Sequence, residues 1–362
     1  MRKRAKEGML EELIALAVPT CQQAERLHPR QGPGAKPQVP DWVLAVMILA
    51  GVLLRKKTKT DQYHFWRERP EMYARCLPGQ RLPGRSTFFA RYARVYPLVE
   101  TAVRLQGELA IERGWADPKV VAVDKSLIAA RGRRFRTARR RDGQLPRVPR
   151  GADRDARWGY CCHDGWVQGY SYEALVTAPR RGGGATWPLL ASAAAANHNE
   201  RKSLVEKVPL LHPRIRVVTA DAGYDANALA EAIEWHTPTA GKRPRRTGRR
   251  LLCPQIRRRP LGQSRVRQTR ERRYHRLLRE RRQAYLRSPA GRRLFARRKV
   301  RSEPFNSHLK ALFELNDRVW LWGLPNNCTM LETAVFAYQI LLTYNHLHGR
   351  PNARVKWLLH RL

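Results

Sequence analysis

The chain has 362 residues and a formal net charge of +41, from 71 lysines and arginines against 30 aspartates and glutamates. Its hydrophobic content of 43% is enough to build buried cores, which excludes a disordered basic tail. The length allows two or three domains, and the charge predicts an anionic partner. Nucleic acid is the first candidate, since phosphate contacts supply most non-specific affinity, and an anionic membrane surface is the alternative.

The cysteines indicate neither a zinc site nor a disulfide framework. None forms a C-x-x-C pair, and Cys161 and Cys162 are adjacent. Reduced cysteines predict a cytoplasmic protein, associated with the bacterial nucleoid if it binds DNA. The longest apolar stretch, residues 42–54, is too short to cross a bilayer and predicts a buried helix. The sequence therefore predicts no transmembrane segment, and the expected partner is nucleic acid rather than a membrane.

The first part of the chain, residues 1–115, has the apolar spacing of helices and is predicted to be a separate helical domain that binds DNA ends. A turn at residues 82–87 supplies hydroxyl groups for an N-cap and leads into a predicted helix at 88–113. Arg85 and Arg91 lie near the start of that helix and could read DNA. A packed helical subdomain with a solvated basic face is the alternative.

The pattern becomes strand-like after residue 116, and residues 116–350 are predicted to form an α/β domain with a mixed sheet flanked by helices. The predicted strands are 119–124, 157–160, 166–177 and 214–220, and the predicted helices are 186–196, 200–207, 227–235, 303–313 and 330–346. Residues 237–300 are dominated by arginine and are predicted to be a basic insertion in this domain, and 351–362 a basic tail.

Three carboxylates stand out at the predicted ends of core elements. Asp124 and Asp221 each follow a β-type run, and Glu303 opens a helix-like run. Carboxylates at the rim of a sheet can hold two Mg²⁺ or Mn²⁺ ions, and two ions stabilise both oxygens of a phosphodiester displacement. Without a cation, clustered carboxylates raise one another's pKa and destabilise the fold.

Each carboxylate also has a purely structural interpretation. Asp124 could cap the turn after its strand, and Asp221 could form a turn in which Asp225 caps the next helix. Glu303 could lie in a first helical turn, where an acid interacts favourably with the helix dipole. The order of two strand aspartates and one helix glutamate is more specific than any of the three alone.

In this order the residues resemble the catalytic triad of the DDE transposases of bacterial insertion sequences, in the group related to insertion sequence four. That group carries an insertion before the final glutamate, with an arginine four residues before it and a lysine seven after it. Here Lys299 and Lys310 hold these positions, and Ala296 stands where a tyrosine is expected. Runs typical of the family's strands are Arg157-Trp158-Gly159-Tyr160, Gly165-Trp166-Val167-Gln168-Gly169-Tyr170 and Thr219-Ala220-Asp221-Ala222-Gly223-Tyr224.

The resemblance implies an RNase H-like catalytic domain that binds terminal inverted repeats, cleaves DNA with Mg²⁺ or Mn²⁺, and joins the 3′-OH to target DNA. Its implied metal ligands and catalytic residues are Asp124, Asp221 and Glu303. The residues predicted to contact double-stranded DNA are Lys310, Lys299, Arg298, Arg301, Arg85 and Arg91. A homodimer on paired ends is expected. Lys125, directly after the first aspartate, departs from the small or polar residue usual there.

Two other functions stay open. The chain could be a catalytically inactive, transposase-derived DNA-binding protein, or another RNase H-like nuclease. Trp158, Trp166 and Trp187 could stack on a flipped base or could simply be core residues.

Overall fold

The fold was analysed in a computed structural model, which describes residues 2–28, 37–136, 148–180, 184–236, 245–255, 270–350 and 354–362. The helices in these residues are α1 (Arg2–Leu27), α2 (Asp41–Leu53), α3 (Lys59–Arg67), α4 (Pro70–Cys76), α5 (Arg85–Arg91), α6 (Tyr96–Glu112), α7 (Glu200–Lys207), α8 (Asn227–Glu234), α9 (Arg270–Arg287), α10 (Pro289–Leu312), α11 (Leu324–Leu347) and α12 (Lys356–Arg361). The strands are β1 (Val120–Ala129), β2 (Arg157–Cys161), β3 (Gly165–Thr177), β4 (Pro188–Ala195), β5 (Val217–Thr219), β6 (Trp235–His236), β7 (Arg245–Arg246) and β8 (Arg250–Leu252). Short 3₁₀ turns lie at Tyr92–Val95, Val208–Leu210 and Ala222–Tyr224.

The central sheet is mixed, as the sequence predicts. β1 pairs antiparallel with β3 and parallel with β5, and β5 pairs parallel with β8. The other edge of β3 is shared, because β2 pairs with its first residues and β4 with its later ones. The predicted RNase H-like α/β class, with helices flanking the sheet and a helical N-terminal region, is confirmed.

Helix α11 packs against both the sheet and the N-terminal helices. It contacts β3 and β4 on one side and α1, α2 and α6 on the other. Its residues from Asn327 to Asn345 are all buried, and so is almost all of α2. The predicted buried helix at 42–54 is therefore confirmed as α2. Among the described residues, no helix is both long and apolar enough to traverse a membrane.

The prediction of a helix at 186–196 was wrong, since these residues include strand β4. The run is rich in alanine, which favours helices when judged in isolation. In the folded chain, β4 pairs with β3 and its small side chains let α6 and α11 pack closely on it. Gly107 of α6 marks the closest approach, because a Cβ atom there would lie 2.9 Å from Leu189 Cα.

The predicted helix at 88–113 is two helices. α5 begins earlier, at Arg85, with Gly84 as its N-cap and no side-chain cap, so the expected hydroxyl cap is absent there. The 3₁₀ turn Tyr92–Val95 separates it from α6. Pro97 lies in the first turn of α6, where its missing N–H costs no helical hydrogen bond.

Helix α10 also begins much earlier than expected, at Pro289 rather than Glu303. Ser288 is its N-cap, and the Ser288 side chain accepts a hydrogen bond from the Gly291 N–H at 3.1 Å. Pro304 lies inside the helix and does not end it. A proline there removes the backbone hydrogen bond to the carbonyl of Val300, an exposed residue four positions earlier.

Part of the segment predicted as an insertion belongs to the sheet. Residues Arg250–Leu252 form β8, which pairs with β5 in the register Val218 to Leu251. Leu251 and Leu252 are both buried. Residues Arg270–Arg287 of the same segment form α9, which packs against α10.

Candidate active site

The two aspartates lie at matching positions on neighbouring parallel strands. The last paired residues of β1 and β5 are Ala122 and Thr219, and each aspartate comes two residues later. β1 continues to Ala129, so Asp124 lies inside a strand and not past its end as predicted. Asp221 lies past the end of β5, two residues after Thr219. The register therefore places both carboxylates at one point of the sheet.

Helix α10 lies against β1 and brings the third carboxylate to this point. Its buried face carries Ser302, Phe305, Asn306 and Leu309. Glu303 lies at the margin of that face, with 50% of its side chain exposed, against 45% for Asp221 and 15% for Asp124. The structure thus brings together the three acids that the sequence singled out.

A single guanidinium group contacts all three carboxylates. Arg298 Nη2 lies 3.1 Å from Asp124 Oδ1 and 4.0 Å from Asp221 Oδ2, and Arg298 Nη1 lies 3.9 Å from Glu303 Oε1. Only 14% of the Arg298 side chain is exposed. A buried cation offsets the repulsion that three converging carboxylates would otherwise experience.

Asp124 is held from two sides. Its Oδ1 accepts from Arg298, and its Oδ2 accepts from the Asn306 side-chain amide at 3.1 Å. The pKa of Asp124 is raised to about 6, since burial raises it more than the nearby Arg298 lowers it, and the charges of Asp221 and Glu303 add smaller increases. The carboxyl is thus fixed in place before any ligand arrives.

Three polar atoms of the site are buried and have no hydrogen-bond partner in the described chain: Asp221 Oδ1, Arg298 Nε and Asn306 Oδ1. Such groups are costly unless something else satisfies them. The donor set of three carboxylates suits a hard divalent cation. In the described residues, no three acidic, histidine or cysteine side chains are grouped closely enough to hold a metal ion. Arg298 instead supplies a positive charge between the carboxylates of Asp124, Asp221 and Glu303.

The lysines and arginines predicted to bind DNA near the triad are in different situations. Lys310 is half-buried and donates to the Leu127 carbonyl at 2.8 Å, and burial lowers its pKa. Arg301 donates to the Arg180 carbonyl at 2.8 Å, so it holds a loop. Lys299, at the signature position of an arginine, is exposed, and Arg298 one residue earlier enters the site instead.

The two N-terminal arginines predicted to bind DNA also differ. Arg85 is exposed on α5, with its guanidinium 5.3 Å from the centre of the Phe89 ring. Arg91 is largely buried, and its guanidinium contacts Asp41 at 2.5 Å and donates to the Val39 carbonyl at 2.7 Å.

The three tryptophans have separate environments. Trp187 is fully buried, which agrees with the core interpretation. Trp158 donates from its indole to the Phe135 carbonyl at 2.8 Å. Trp166 is 64% exposed and packs edge-on against Tyr160.

Lys125 lies next to Asp124 but points away from the carboxylates. Its ammonium group donates to the carbonyls of Ala196 and His198 at 2.9 and 2.8 Å.

The interpretation of Asp225 as the N-cap of α8 was wrong. Ala226 is the N-cap residue, and Asp225 Oδ1 lies 3.8 Å from Arg279 Nε.

The fold is a mixed α/β sheet with flanking helices that brings two strand aspartates and a helix glutamate together, and comparison with known proteins assigns the family. Residues 115–321, more than half of the chain, match the family model "Transposase DDE domain". The chain therefore belongs to the family of transposases with a DDE domain.

One solved structure that is similar to this chain is a cryo-EM structure of the piggyBac transposase synaptic complex with hairpin DNA. The two share 12% sequence identity, and the alignment covers 98% of this chain and 78% of that one, with a TM-score of 0.37. No curated protein matches the chain.

Proposed function

We propose that this protein is an active transposase, in which Asp124, Asp221 and Glu303 carry out the cleavage of transposon ends and the joining of the 3′-OH to target DNA. The observation that supports this most is the contact of one buried cation, Arg298, with all three carboxylates. Structural turn-formers or caps would have no reason to converge on one guanidinium. The family of the chain supports the same chemistry.

The residues present fit Mg²⁺ or Mn²⁺ in their donor chemistry. Asp124, Asp221 and Glu303 would hold the metal, and the buried, unpartnered Oδ1 of Asp221 is free to bind it. When bound, the metal would activate water and stabilise the attacking and leaving oxygens of the phosphodiester.

The protein's own residues prepare the site for this task. Asn306 and Arg298 fix both oxygens of Asp124, so little ordering remains when the substrate binds. The partial exposure of Asp221 and Glu303 leaves one side of the carboxylate group open to a DNA strand.

The proposed partners are the double-stranded DNA of transposon ends and of the target. The net charge of +41 favours a polyanion, and the basic helices α9 and α10 lie beside the triad. Lys310, Lys299, Arg298, Arg301 and Arg85 are the proposed contacts near phosphate. We propose a homodimer as the active form, since two ends must be paired.

The test is cleavage of labelled DNA fragments that carry the sequences flanking the gene, in Mg²⁺ or Mn²⁺. Asp124→Ala, Asp221→Ala and Glu303→Ala should each abolish cleavage and leave DNA binding largely intact. Asp317→Asn, which removes an exposed acid outside the site, is the matched control and should cleave normally. Near-wild-type cleavage by any of the three triad variants contradicts the proposal.

A wild-type protein that binds DNA with a steep salt dependence, and cleaves it in neither metal, would instead be a transposase-derived DNA-binding protein. Cleavage of branched DNA without preference for the flanking repeats would point to another nuclease of the same fold.

A further inference from the structure

A polar cluster, most of it buried, lies beside the turn that follows Asp221. At its centre is Glu173 of β3, whose side chain is only 6% exposed. Glu173 Oε1 accepts from Ser203 Oγ at 2.9 Å and from Lys207 Nζ at 2.7 Å, both on α7. Glu173 Oε2 accepts from the Tyr224 hydroxyl at 2.8 Å.

Tyr224 ends the 3₁₀ turn that begins directly after Asp221, and it is fully buried. Its backbone N–H donates to the Asp221 carbonyl at 3.2 Å. The turn is therefore fastened at its far end by the Tyr224 hydroxyl and at its near end by strand β5.

Helix α7 also holds the middle of the same turn. Arg201 Nε donates to the Gly223 carbonyl at 2.6 Å. A Cβ atom at Gly223 would lie 2.2 Å from Glu200 Oε1 and 2.9 Å from Asp221 Oδ1, so a larger residue there would displace these two carboxylates. Thus α7 fixes the turn through Arg201 directly and through Glu173 and Tyr224 indirectly.

The carboxylate of Asp221 makes no hydrogen bond to another side chain in the described residues. Its Oδ2 is 4.0 Å from Arg298, beyond hydrogen-bond distance, and its Oδ1 has no partner in the described chain. Its position therefore depends on the backbone of the turn, in contrast to Asp124, which is held by its side chain.

We propose that Glu173 and Tyr224 are positioning residues, which hold the turn after β5 so that Asp221 faces Asp124 and the metal. This inference rests on the proposed function. The network is largely buried and hydrogen-bonded, and Lys207 still pairs with Glu173 when the Tyr224 hydroxyl is lost, so the turn loosens without leaving a buried charge unpaired.

The experiment compares Tyr224→Phe with Tyr170→Phe. Tyr170 lies on the same strand as Glu173, is fully buried, and donates its hydroxyl to the Asp153 carboxylate at 2.7 Å. Each variant loses one buried hydroxyl-to-carboxylate hydrogen bond, so both should lose a similar amount of thermal stability. Comparison of the two variants separates a loss of thermal stability, which both should show, from a loss of metal binding, which only Tyr224→Phe should show.

The decisive readout is Mn²⁺ binding to the protein without DNA, followed by electron paramagnetic resonance. Tyr224→Phe should bind Mn²⁺ about 10- to 100-fold more weakly than wild type, and Tyr170→Phe should bind it like wild type. The Mn²⁺ concentration for half-maximal cleavage should shift in the same way, with the affinity for DNA unchanged.

Equal Mn²⁺ affinity in wild type and Tyr224→Phe overturns the inference. That result differs from failure of the proposed function, in which the wild type itself neither binds Mn²⁺ at the triad nor cleaves DNA. A stability loss in both variants with no change in Mn²⁺ binding assigns Tyr224 a purely structural role.

Discussion

Arg298 donates from Nη2 to Oδ1 of Asp124 at 3.1 Å, and this contact joins helix α10 to the central strand β1 at the triad. The guanidinium partly neutralises the same carboxylates that a divalent cation would neutralise. Arg298 therefore stabilises the metal-free protein, and its contribution to the free energy of unfolding should be smaller when a divalent metal is bound.

We expect Arg298→Ala to lower the free energy of unfolding of the metal-free protein by about 1–3 kcal/mol, because three carboxylates lose their shared cation. Mg²⁺ or Mn²⁺ should restore part of this loss. Thermal denaturation in EDTA and in either metal measures both effects. Arg293→Ala, an exposed arginine on the same helix, is the control and should change neither value.

A second expectation concerns pH and Glu332 of α11. Glu332 is completely buried and neither of its carboxylate oxygens has a partner in the described chain. Burial raises its pKa well above the usual value, Glu100 raises it further, and Lys207 lowers it. Because the folded protein holds this proton more tightly than the unfolded chain, stability is lost as the pH rises above the ordinary range of a glutamate.

Glu332→Gln, which mimics the protonated side chain, should therefore unfold at a higher temperature than wild type at neutral pH. The advantage should shrink toward pH 4, where both proteins are uncharged at this position. Urea unfolding at a series of pH values measures the difference. A constant difference across that range contradicts a protonated Glu332.

The close packing of α6 on β4 gives a third expectation. Gly107→Ala should destabilise the protein by about 1–3 kcal/mol, because the new Cβ atom would press on the backbone of Leu189. Gly8→Ala, in α1 with open space around it, is the control and should be neutral or slightly stabilising. Chemical denaturation of both variants is sufficient to test this.

Arg85 and Arg91 should behave differently although the sequence suggested DNA contact for both. Arg85→Ala, which removes an exposed charge, should reduce the slope of log Kd against log salt for DNA by about 1 and leave stability unchanged. Arg91→Ala breaks the ion pair with Asp41 and should cost about 1–2 kcal/mol of stability. An equal change in salt slope for the two variants contradicts this distinction.

The sequence was informative where a pattern reflects local chemistry. The runs before Asp124 and Asp221 are apolar and β-branched, and both form strands of the predicted sheet. The sequence predicted a helix at β4, because alanines favour a helix in isolation. Pairing with β3 makes these residues a strand instead. The sequence also misplaced the start of α10, since Pro304 is typical of a helix start but lies inside this helix.

The sequence singled out the three acids that the structure brings together, but not the residues that contact and support them. Asp124, Asp221 and Glu303 could be found from their order along the chain, but the partners Asn306 and Glu173 depend on contacts between distant segments. The family signature directed attention to Lys299, whereas the helical rotation of α10 turns Arg298 toward the carboxylates. A helix-face plot would have grouped Arg298 with the buried Ser302 and Asn306.

Three consecutive residues of β3 each hold a different element of the site. The Tyr172 hydroxyl donates to the Asn306 carbonyl at 3.3 Å, Glu173 accepts from α7, and Ala174 is the register partner of Asp124. Loss or gain of one residue within β3 would exchange the faces of Tyr172 and Glu173 and separate both from their partners. Within the hairpin of β2 and β3 we therefore expect insertions to be tolerated at the turn 162–164 and not in β3, which makes that turn a suitable place to introduce a label or a linker.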